Sequence, residues 1–289
     1  EYDQGMKFSP RDLILIGGRR GAGKSLTCVN IANNVYEQGR SSIYFTIEMD
    51  SRSILQRMCA LGARIPIGRI ANRNLTTVEW NRVAEWWAGR FDGGVDLLPE
   101  FYDTREFDEF HKKLQSKPLH KDRQLDVVYD PVLSLSRIRQ ELESKVSQTD
   151  VGVIIVDYLN QVKRSNVPSK SGQYDWTEQI EVSKTLKSIA QEYSIPVFAP
   201  YQTDNSGEAR FAKGILDAAD AAFTMETWSP EDNAITFNCT KMRSAKMEGF
   251  TSVMDWETLK IGPQSTMNPK DREELKDSLS TGEDIHDAI

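Results

Sequence analysis

The segment GRRGAGKS at residues 18–25 constrains the fold of this chain more than any other feature. It fits the pattern GxxxxGK[ST] at every fixed position, between an apolar run at 13–17 and a helical pattern at 26–36. Glycines in such a loop let backbone N–H groups surround phosphate oxygens, and the following helix N-terminus adds partial positive charge. The segment therefore predicts nucleotide binding through Gly18, Gly21, Ala22, Gly23, Lys24 and Ser25.

Two side chains of this segment have defined expectations in phosphate chemistry. We expect Lys24 to reach the β- and γ-phosphates of ATP or another nucleoside triphosphate, and the Ser25 hydroxyl to ligate Mg²⁺. A second metal ligand is expected from Asp157, which ends the apolar run at 153–156. Carboxyl ends of parallel strands meet at one edge of a sheet, so Asp157 is predicted beside the loop, holding Mg²⁺ directly or through water. The alternative is a surface carboxylate that caps a strand end.

Two further polar residues follow strand-like runs. Glu48 comes directly after the run at 43–47, and Gln202 lies two residues after the run at 197–200. We expect Glu48 to act as the general base that orients or deprotonates the attacking water, and Gln202 to contact the γ-phosphate. The alternatives are a carboxylate at a helix N-terminus for Glu48 and an ordinary loop amide for Gln202.

Lys241 and Arg243 form a pair of cations at the end of another strand-like run. Their i, i+2 spacing puts both side chains on one side of a strand. Such a pair is either a solvated surface patch or a group that reaches the γ-phosphate bound to a neighbouring subunit, as an arginine finger does.

The arrangement of apolar runs predicts an α/β fold. Helical patterns alternate with strand-like runs, which is typical of a mainly parallel sheet with helices on both faces. The predicted strands are 12–17, 42–47, 125–129, 152–157, 196–200 and 221–225, and the predicted helices are 23–38, 51–62, 135–146 and 176–193. Runs at 235–240 and 250–256 predict an antiparallel hairpin at the edge.

The chain is predicted to form one domain at 1–262 with a tail at 263–289. A mostly helical and polar stretch at about 71–124 reads as an insertion on the edge of the sheet, with its tryptophans in a core. The net charge is −7, but residues 270–289 contain seven acidic and three basic residues, so the tail contributes −4 and the body −3. A local basic site for nucleic acid is therefore compatible with the acidic total.

The chain lacks the features of a membrane or secreted protein. No apolar run approaches the roughly 20 residues that span a bilayer, and the first residues are polar. The three cysteines, Cys28, Cys59 and Cys239, lack metal-ligand spacing. A sparse odd number of cysteines predicts a reducing compartment, so we expect buried thiols and a cytoplasmic location. The lack of a long apolar run predicts that the protein has no membrane partner.

Several motifs together resemble the C-terminal domain of DnaB-type replicative helicases, including phage relatives, from residue 1 to about 262. Beside the loop at 18–25, they are TIEM at 46–49, IIVDYL at 154–159, YQ at 201–202 where the family has Ser-Gln, GILDAAD at 214–220 and KMR at 241–243. The resemblance implies a RecA-like P-loop core in a ring hexamer that hydrolyses NTPs at subunit interfaces and pulls single-stranded DNA through its pore.

The resemblance also implies specific contacts between subunits and with DNA. Lys241 and Arg243 would act on the neighbour's nucleotide. The implied DNA contacts come from two pore-facing loops and comprise Lys163, Arg164, Lys170, Arg210, Lys213 and Gly214. This chain departs from the family near Phe211 and Ala212, where a basic residue is expected just before the glycine, and the stretch 91–124 is longer than expected.

Partners and rival functions follow from the same comparison. The acidic tail resembles the charged tails with which phage helicases recruit a polymerase, so we expect a primase or polymerase partner in a bacterial cytoplasm or a phage-infected host cell. One rival is a recombinase of the RecA or RadA kind, which forms open filaments on DNA. The other is a nucleotide-switched oligomeric adaptor with little turnover, although a strong base such as Glu48 speaks against a pure switch.

Overall fold

A computed structural model describes residues 8–164, 176–203, 212–227 and 233–264. Two predicted DNA contacts, Lys170 and Arg210, lie outside these ranges, as does the predicted tail beyond residue 264. For Lys213 the backbone is described and the side chain is not.

The described residues form one nine-stranded sheet in the order β3-β2-β4-β5-β1-β6-β7-β8-β9. Strands β1 to β6 pair in parallel, and β7, β8 and β9 extend the sheet antiparallel to its neighbours. The bounds are β1 Leu13–Gly18, β2 Ser41–Thr46, β3 Leu125–Tyr129, β4 Val151–Asp157, β5 Val197–Gln202, β6 Ala221–Glu226, β7 Ala234–Met242, β8 Phe250–Asp255 and β9 Lys260–Gln264. The predicted α/β class with an antiparallel edge is confirmed.

Helices cover both faces of the sheet because the strands alternate two apolar sets. In β1, Leu13 and Leu15 face one core, while Ile14 and Ile16 face the other. The described helices are α1 Lys24–Glu37, α2 Ser51–Ala63, α3 Ile67–Ala71, α4 Thr77–Ala88, α5 Leu98–Thr104, α6 Phe107–Gln115, α7 Leu135–Val146, α8 Trp176–Tyr193 and α9 Ala212–Ala218. Helices α1 and α2 pack on one face, and α7, α8 and α9 pack on the other.

The stretch 71–124 contains α4, α5 and α6, which bury aromatic side chains of their own. Trp80 and Trp87 pack with Phe101 and Phe110 in a separate apolar cluster. The guanidinium of Arg90 lies 4.9 Å from the ring centroid of Trp87, inside the protein. Trp80 and Trp87 are therefore partly buried against a core of this stretch, in line with the expectation that its tryptophans pack inward.

One strand extends past the predicted end of the domain. β9 reaches Gln264, although the sequence places the boundary at residue 262. Gly262 and Pro263 weaken any strand pattern, but Pro is tolerated in an edge strand, whose outer side needs no N–H donor. β9 lies at the edge of the sheet and pairs with β8 alone.

Other expectations about burial can be compared directly. Cys28 and Cys59 are buried, and Cys239 is partly buried. No helix among the described residues has the length and apolar character needed to cross a membrane.

Candidate nucleotide-hydrolysis site

The loop at residues 18–25 joins the end of β1 to the start of α1. Gly21 and Gly23 have φ angles of 82° and 89°, which side chains other than glycine rarely adopt. Gly23 is the N-cap of α1 and offers no side-chain cap, so the first N–H groups of this helix open toward the loop. The backbone thus takes the path that the glycine spacing predicts, with a helix N-terminus at its end.

Lys24 lies folded over this loop. Its Nζ donates to the carbonyl oxygens of Gly18 and Arg19, each at 2.7 Å. Burial lowers the pKa of Lys24, and the nearby carboxylates of Asp157 and Glu48 oppose that shift. The ammonium group is therefore a partly desolvated cation beside the loop, which strengthens its attraction for phosphate.

Asp157 ends β4 next to the loop and is almost fully buried, at 6% exposure. Its Oδ2 accepts a hydrogen bond from the Tyr44 hydroxyl at 2.6 Å. Burial raises the pKa of Asp157, while hydrogen bonds from Tyr44 and Ser25 and the charge of Lys24 act in the opposite direction. A cation beside the carboxylate would relieve this desolvation.

The side chains of Ser25 and Asp157 fit Mg²⁺. A hydroxyl and a carboxylate in contact are hard oxygen ligands, and Mg²⁺ in nucleotide sites takes one or two such ligands together with phosphates and waters. No group of three or more His, Cys, Asp or Glu side chains that could hold a metal ion occurs within the described ranges. Such a metal would accordingly depend on the nucleotide for part of its coordination.

Glu48 and Gln202 lie at the same edge of the sheet as the loop. Glu48 is exposed in a turn after β2, where the Thr46 hydroxyl donates to the Met49 carbonyl at 2.7 Å. Gln202 is exposed at the end of β5 and pairs in register with Gly18. Both side chains are positioned by strand ends, as the alternation of strands and helices predicts.

These groups line one cleft of about 720 Å³. Its walls are formed by Arg20, Gly21, Gly23, Lys24, Ser25, Leu26, Thr46, Glu48, Met49, Arg57, Asp157, Tyr158, Gln161 and Gln202. The structure thus brings together the predicted phosphate-binding, metal-binding and water-activating positions in one concave site. Of the predicted loop residues, Gly18 and Ala22 support the loop without lining the cleft.

Arg57 is a cleft residue that the sequence analysis missed. It projects from α2, and its charge acts on the carboxylate of Asp157. A guanidinium in a phosphate site can neutralise developing charge. The sequence signal is limited to its place on the helix that follows Glu48, where it is one of two arginines, so no motif separates Arg57 from a surface cation.

Lys241 and Arg243 lie at the opposite end of the strands from the phosphate-binding loop of their own chain. Met242 pairs with Ala221, which in turn pairs with Ile14 near the start of β1. Ile14 and Gly18 lie at opposite ends of β1, a distance of about 13 Å along a strand. Lys241 donates from Nζ to the carbonyl oxygens of Leu216 at 2.6 Å and Asp217 at 3.1 Å, at the end of α9.

The predicted DNA contacts fall at different places in the fold. Lys163 is exposed, and its backbone bridges to Leu133 and Leu135. Arg164 is exposed and forms an ion pair with Glu181 of α8 at 2.7 Å. Gly214 lies in α9, where a Cβ atom would come within 2.3 Å of Ile180 Cδ1. Close packing of α9 on α8 is therefore sufficient reason for glycine at position 214.

In sequence, this chain is similar to replicative DNA helicases. The probable replicative DNA helicase of Trieres chinensis is 26% identical over 208 residues, which are 71% of this chain and 38% of that protein. The chain thus spans well under half the length of this relative.

Solved structures give the same fold. One ATPase domain matches with a TM-score of 0.66 at 16% identity, covering 88% of this chain and 85% of that one. The structure of a DnaB-like replicative helicase and its interactions with primase matches with a TM-score of 0.66 at 14% identity, covering 88% and 57%. Both likenesses concern the fold, and they confirm the predicted RecA-like core. The sequence model of the DnaB-like helicase C terminal domain matches residues 3–214, most of the chain, so this chain belongs to the DnaB-like helicase C-terminal domain family.

Proposed function

We propose that this chain is the ATP-hydrolysing motor domain of a replicative DNA helicase, which works as a ring hexamer on single-stranded DNA. One observation carries the proposal: a member of the DnaB-like family gathers its glycine-rich loop, Asp157, Glu48 and Gln202 around one cleft. A domain that only bound nucleotide would need the loop, but it would not need a carboxylate placed to activate water.

The side chains divide the work of hydrolysis. The loop N–H groups and Lys24 hold the phosphates, and Ser25 with Asp157 would hold Mg²⁺. When bound, Mg²⁺ neutralises charge on the β- and γ-phosphate oxygens. Glu48 orients the attacking water and takes its proton. Gln202 contacts the γ-phosphate and loses that contact after cleavage, so the end of β5 responds to the state of the nucleotide.

The position of Lys241 and Arg243 supports catalysis between subunits. Lys241 and Arg243 lie at the opposite end of the strands from the cleft of their own chain, and neither lines it. In a ring, the edge of one subunit meets the cleft of the next. We propose that both cations complete the neighbour's site, and that turnover therefore requires assembly.

The proposal also includes DNA and protein partners. Cationic side chains such as Lys163 and Arg164 suit sequence-independent contacts with a DNA backbone. A primase or polymerase is proposed as protein partner, because one structural neighbour is a DnaB-like helicase described with its interactions with primase. The acidic residues 270–289 would serve in such recruitment. The proposed compartment is the cytoplasm of a bacterium or of a phage-infected host cell.

The decisive experiment measures ATP turnover with and without single-stranded DNA, together with the oligomeric state in ATP and Mg²⁺. A hexamer whose turnover rises strongly with DNA, and which unwinds a forked duplex, is the expected result. An open filament would favour a recombinase instead. Slow turnover that ignores DNA and is unchanged in Glu48→Gln would favour a nucleotide-switched adaptor.

A further inference from the structure

The ladder between strands β4 and β5 ends before the nucleotide cleft, and one side chain links the two chain segments beyond it. Their ladder comprises two residue pairs, Ile154 with Val197 and Ile155 with Phe198. Beyond it, the backbone N–H of Gln202 donates to the side-chain Oδ1 of Asn160 at 2.8 Å. Asn160 belongs to the 3-10 turn Leu159–Gln161 that follows β4. The Asn160 side chain therefore accepts a hydrogen bond from the backbone of β5 beyond the end of the ladder, at the wall of the cleft.

The hydrogen bonds of Asn160 fix the direction of its amide group. A backbone N–H can only donate, so the oxygen Oδ1 faces Gln202 and the nitrogen Nδ2 faces the other way. Nδ2 donates to Oε1 of Gln179 at 2.9 Å. Gln179 is 6% exposed and lies near the start of α8. Because leaving a buried amide unpaired is costly, the three groups move together or break a hydrogen bond.

The first turns of α8 also contact Arg164, one of the predicted DNA-binding residues. The backbone N–H of Arg164 donates to Glu178 Oε1 at 2.9 Å. Its guanidinium pairs with Glu181 Oε2 at 2.7 Å. Glu178 and Glu181 of α8 thus contact Arg164, and Gln179 of the same helix contacts Asn160. A displacement of α8 therefore changes both sets of contacts.

We infer that Asn160 is a positioning residue that holds Gln202 at the wall of the cleft and ties it to α8. Asn160 does not line the cleft and acts through Gln202. The mechanical link to Arg164 rests on the proposed function, because it matters only if Arg164 binds DNA and Gln202 contacts the γ-phosphate. The bridge itself does not depend on that function and can be tested without DNA.

Amide hydrogen exchange at Gln202 tests the bridge directly. Asn160→Ala removes the acceptor, so the Gln202 N–H is expected to exchange at least about fivefold faster, the effect of losing one net hydrogen bond. Gln179→Met keeps that acceptor and nearly the same side-chain volume, and is expected to change the rate by less than about twofold. Gln191→Met, an exposed glutamine of the same helix, is the matched control. Equal Gln202 exchange in wild type and Asn160→Ala overturns the inference.

Steady-state ATP hydrolysis tests the consequence of the bridge. Asn160→Ala is expected to lower kcat about tenfold with less than a threefold change in the KM for ATP, because binding groups stay in place while Gln202 loses its position. Gln179→Met is expected to at least halve the stimulation by single-stranded DNA and to leave DNA-free turnover within about twofold. Combining both changes should add little to Asn160→Ala, since both act on one bridge.

The outcomes separate the two proposals. If wild-type turnover ignores DNA, the motor function fails, and Gln202 exchange still decides the role of Asn160. If DNA stimulates the wild type and Asn160→Ala alike, and Gln202 exchange is unchanged, the motor stands and the inference falls. Thermal unfolding of each variant identifies a folding defect, in which case Asn160→Ser, which keeps a shorter oxygen acceptor, provides the second measurement.

Discussion

Arg243 forms an ion pair with Asp220, in which Nη1 lies 3.2 Å from Oδ1. Asp220 has two other partners, the Lys187 ammonium at 2.6 Å and the Leu13 backbone N–H at 2.9 Å, both on Oδ2. The side chain of Arg243 is 51% exposed, whereas that of Lys187 is 16% exposed. Arg243 is thus the partner that can leave without stranding the carboxylate, because an exposed ion pair contributes about 1 kcal/mol or less.

Arg243→Ala is expected to lower turnover about 10³-fold or more and to leave nucleotide binding nearly intact, since an arginine finger acts on the charge of the transition state. Fluorescent-nucleotide titration and steady-state hydrolysis measure the two effects separately. Lys246→Ala is the matched control, a highly exposed cation three residues away. Mixing Arg243→Ala subunits with Lys24→Ala subunits should restore partial activity, and an equal loss of binding and turnover would count against the trans role.

The layout of the cleft could be predicted because it follows from short-range signals. Asp157 ends the apolar strand β4 and Glu48 follows the end of β2 by two residues, and parallel strands place their carboxyl ends at one edge of the sheet. The Gly-rich loop adds its own backbone geometry at Gly21 and Gly23. These positions needed only the alternation of strands and helices along the chain and the local spacing of residues, both of which can be read from the sequence.

Other parts of the site depend on contacts between distant segments. Arg57 reaches the cleft because α2 packs beside α1. Asn160 meets Gln202 beyond the end of the short ladder between β4 and β5. Gly214 reads as a loop glycine from its neighbours, yet its environment is the side chain of Ile180. No spacing rule encodes such tertiary contacts, so they required the folded structure.

Glu48→Gln should separate binding from chemistry. Glutamine keeps the size and the acceptor oxygen but cannot take a proton, so turnover is expected to fall about 10²- to 10⁴-fold with ATP affinity within about threefold of wild type. Glu37→Gln, which changes an exposed carboxylate at the far end of α1, is the control and should behave as wild type. Turnover of Glu48→Gln equal to wild type would remove Glu48 from the mechanism.

Asp157→Asn is expected to make the nucleotide-free protein more stable while abolishing Mg²⁺-dependent turnover. Burial raises the pKa of Asp157 in the folded protein, so the folded state favours the protonated carboxyl more than the unfolded chain does. The cost of ionising it is therefore fully present above the folded pKa and disappears as pH falls below the unfolded value.

Urea unfolding of wild type and Asp157→Asn as a function of pH measures this cost. The variant should gain about 0.5–2 kcal/mol near neutral pH, in the range of a relieved functional strain. The difference should shrink toward acid pH. A difference that is constant across pH would mean that packing, rather than ionisation of Asp157, sets the stability gap.

Gly214→Ala should distinguish packing from DNA contact at this position. Alanine ordinarily stabilises a helix by up to about 1 kcal/mol relative to glycine. Here its Cβ would lie 2.3 Å from Ile180 Cδ1 and 2.7 Å from Cγ1, so one helix or side chain must shift. We expect a net loss of about 1–3 kcal/mol in the free energy of unfolding, as in an overpacked core. Gly68→Ala, at an exposed position of helix α3 with open space around it, should cause no loss.

A second substitution decides what the Gly214→Ala result means. Ile180→Ala should reduce the penalty of Gly214→Ala, because it removes the two atoms that lie closest to the new methyl. Denaturant unfolding of the four proteins in this cycle, beside their affinity for single-stranded DNA, completes the test. DNA affinity that falls in Gly214→Ala and recovers with Ile180→Ala means that Gly214 acts through helix packing, whereas a loss that Ile180→Ala leaves unchanged means that its backbone meets the DNA.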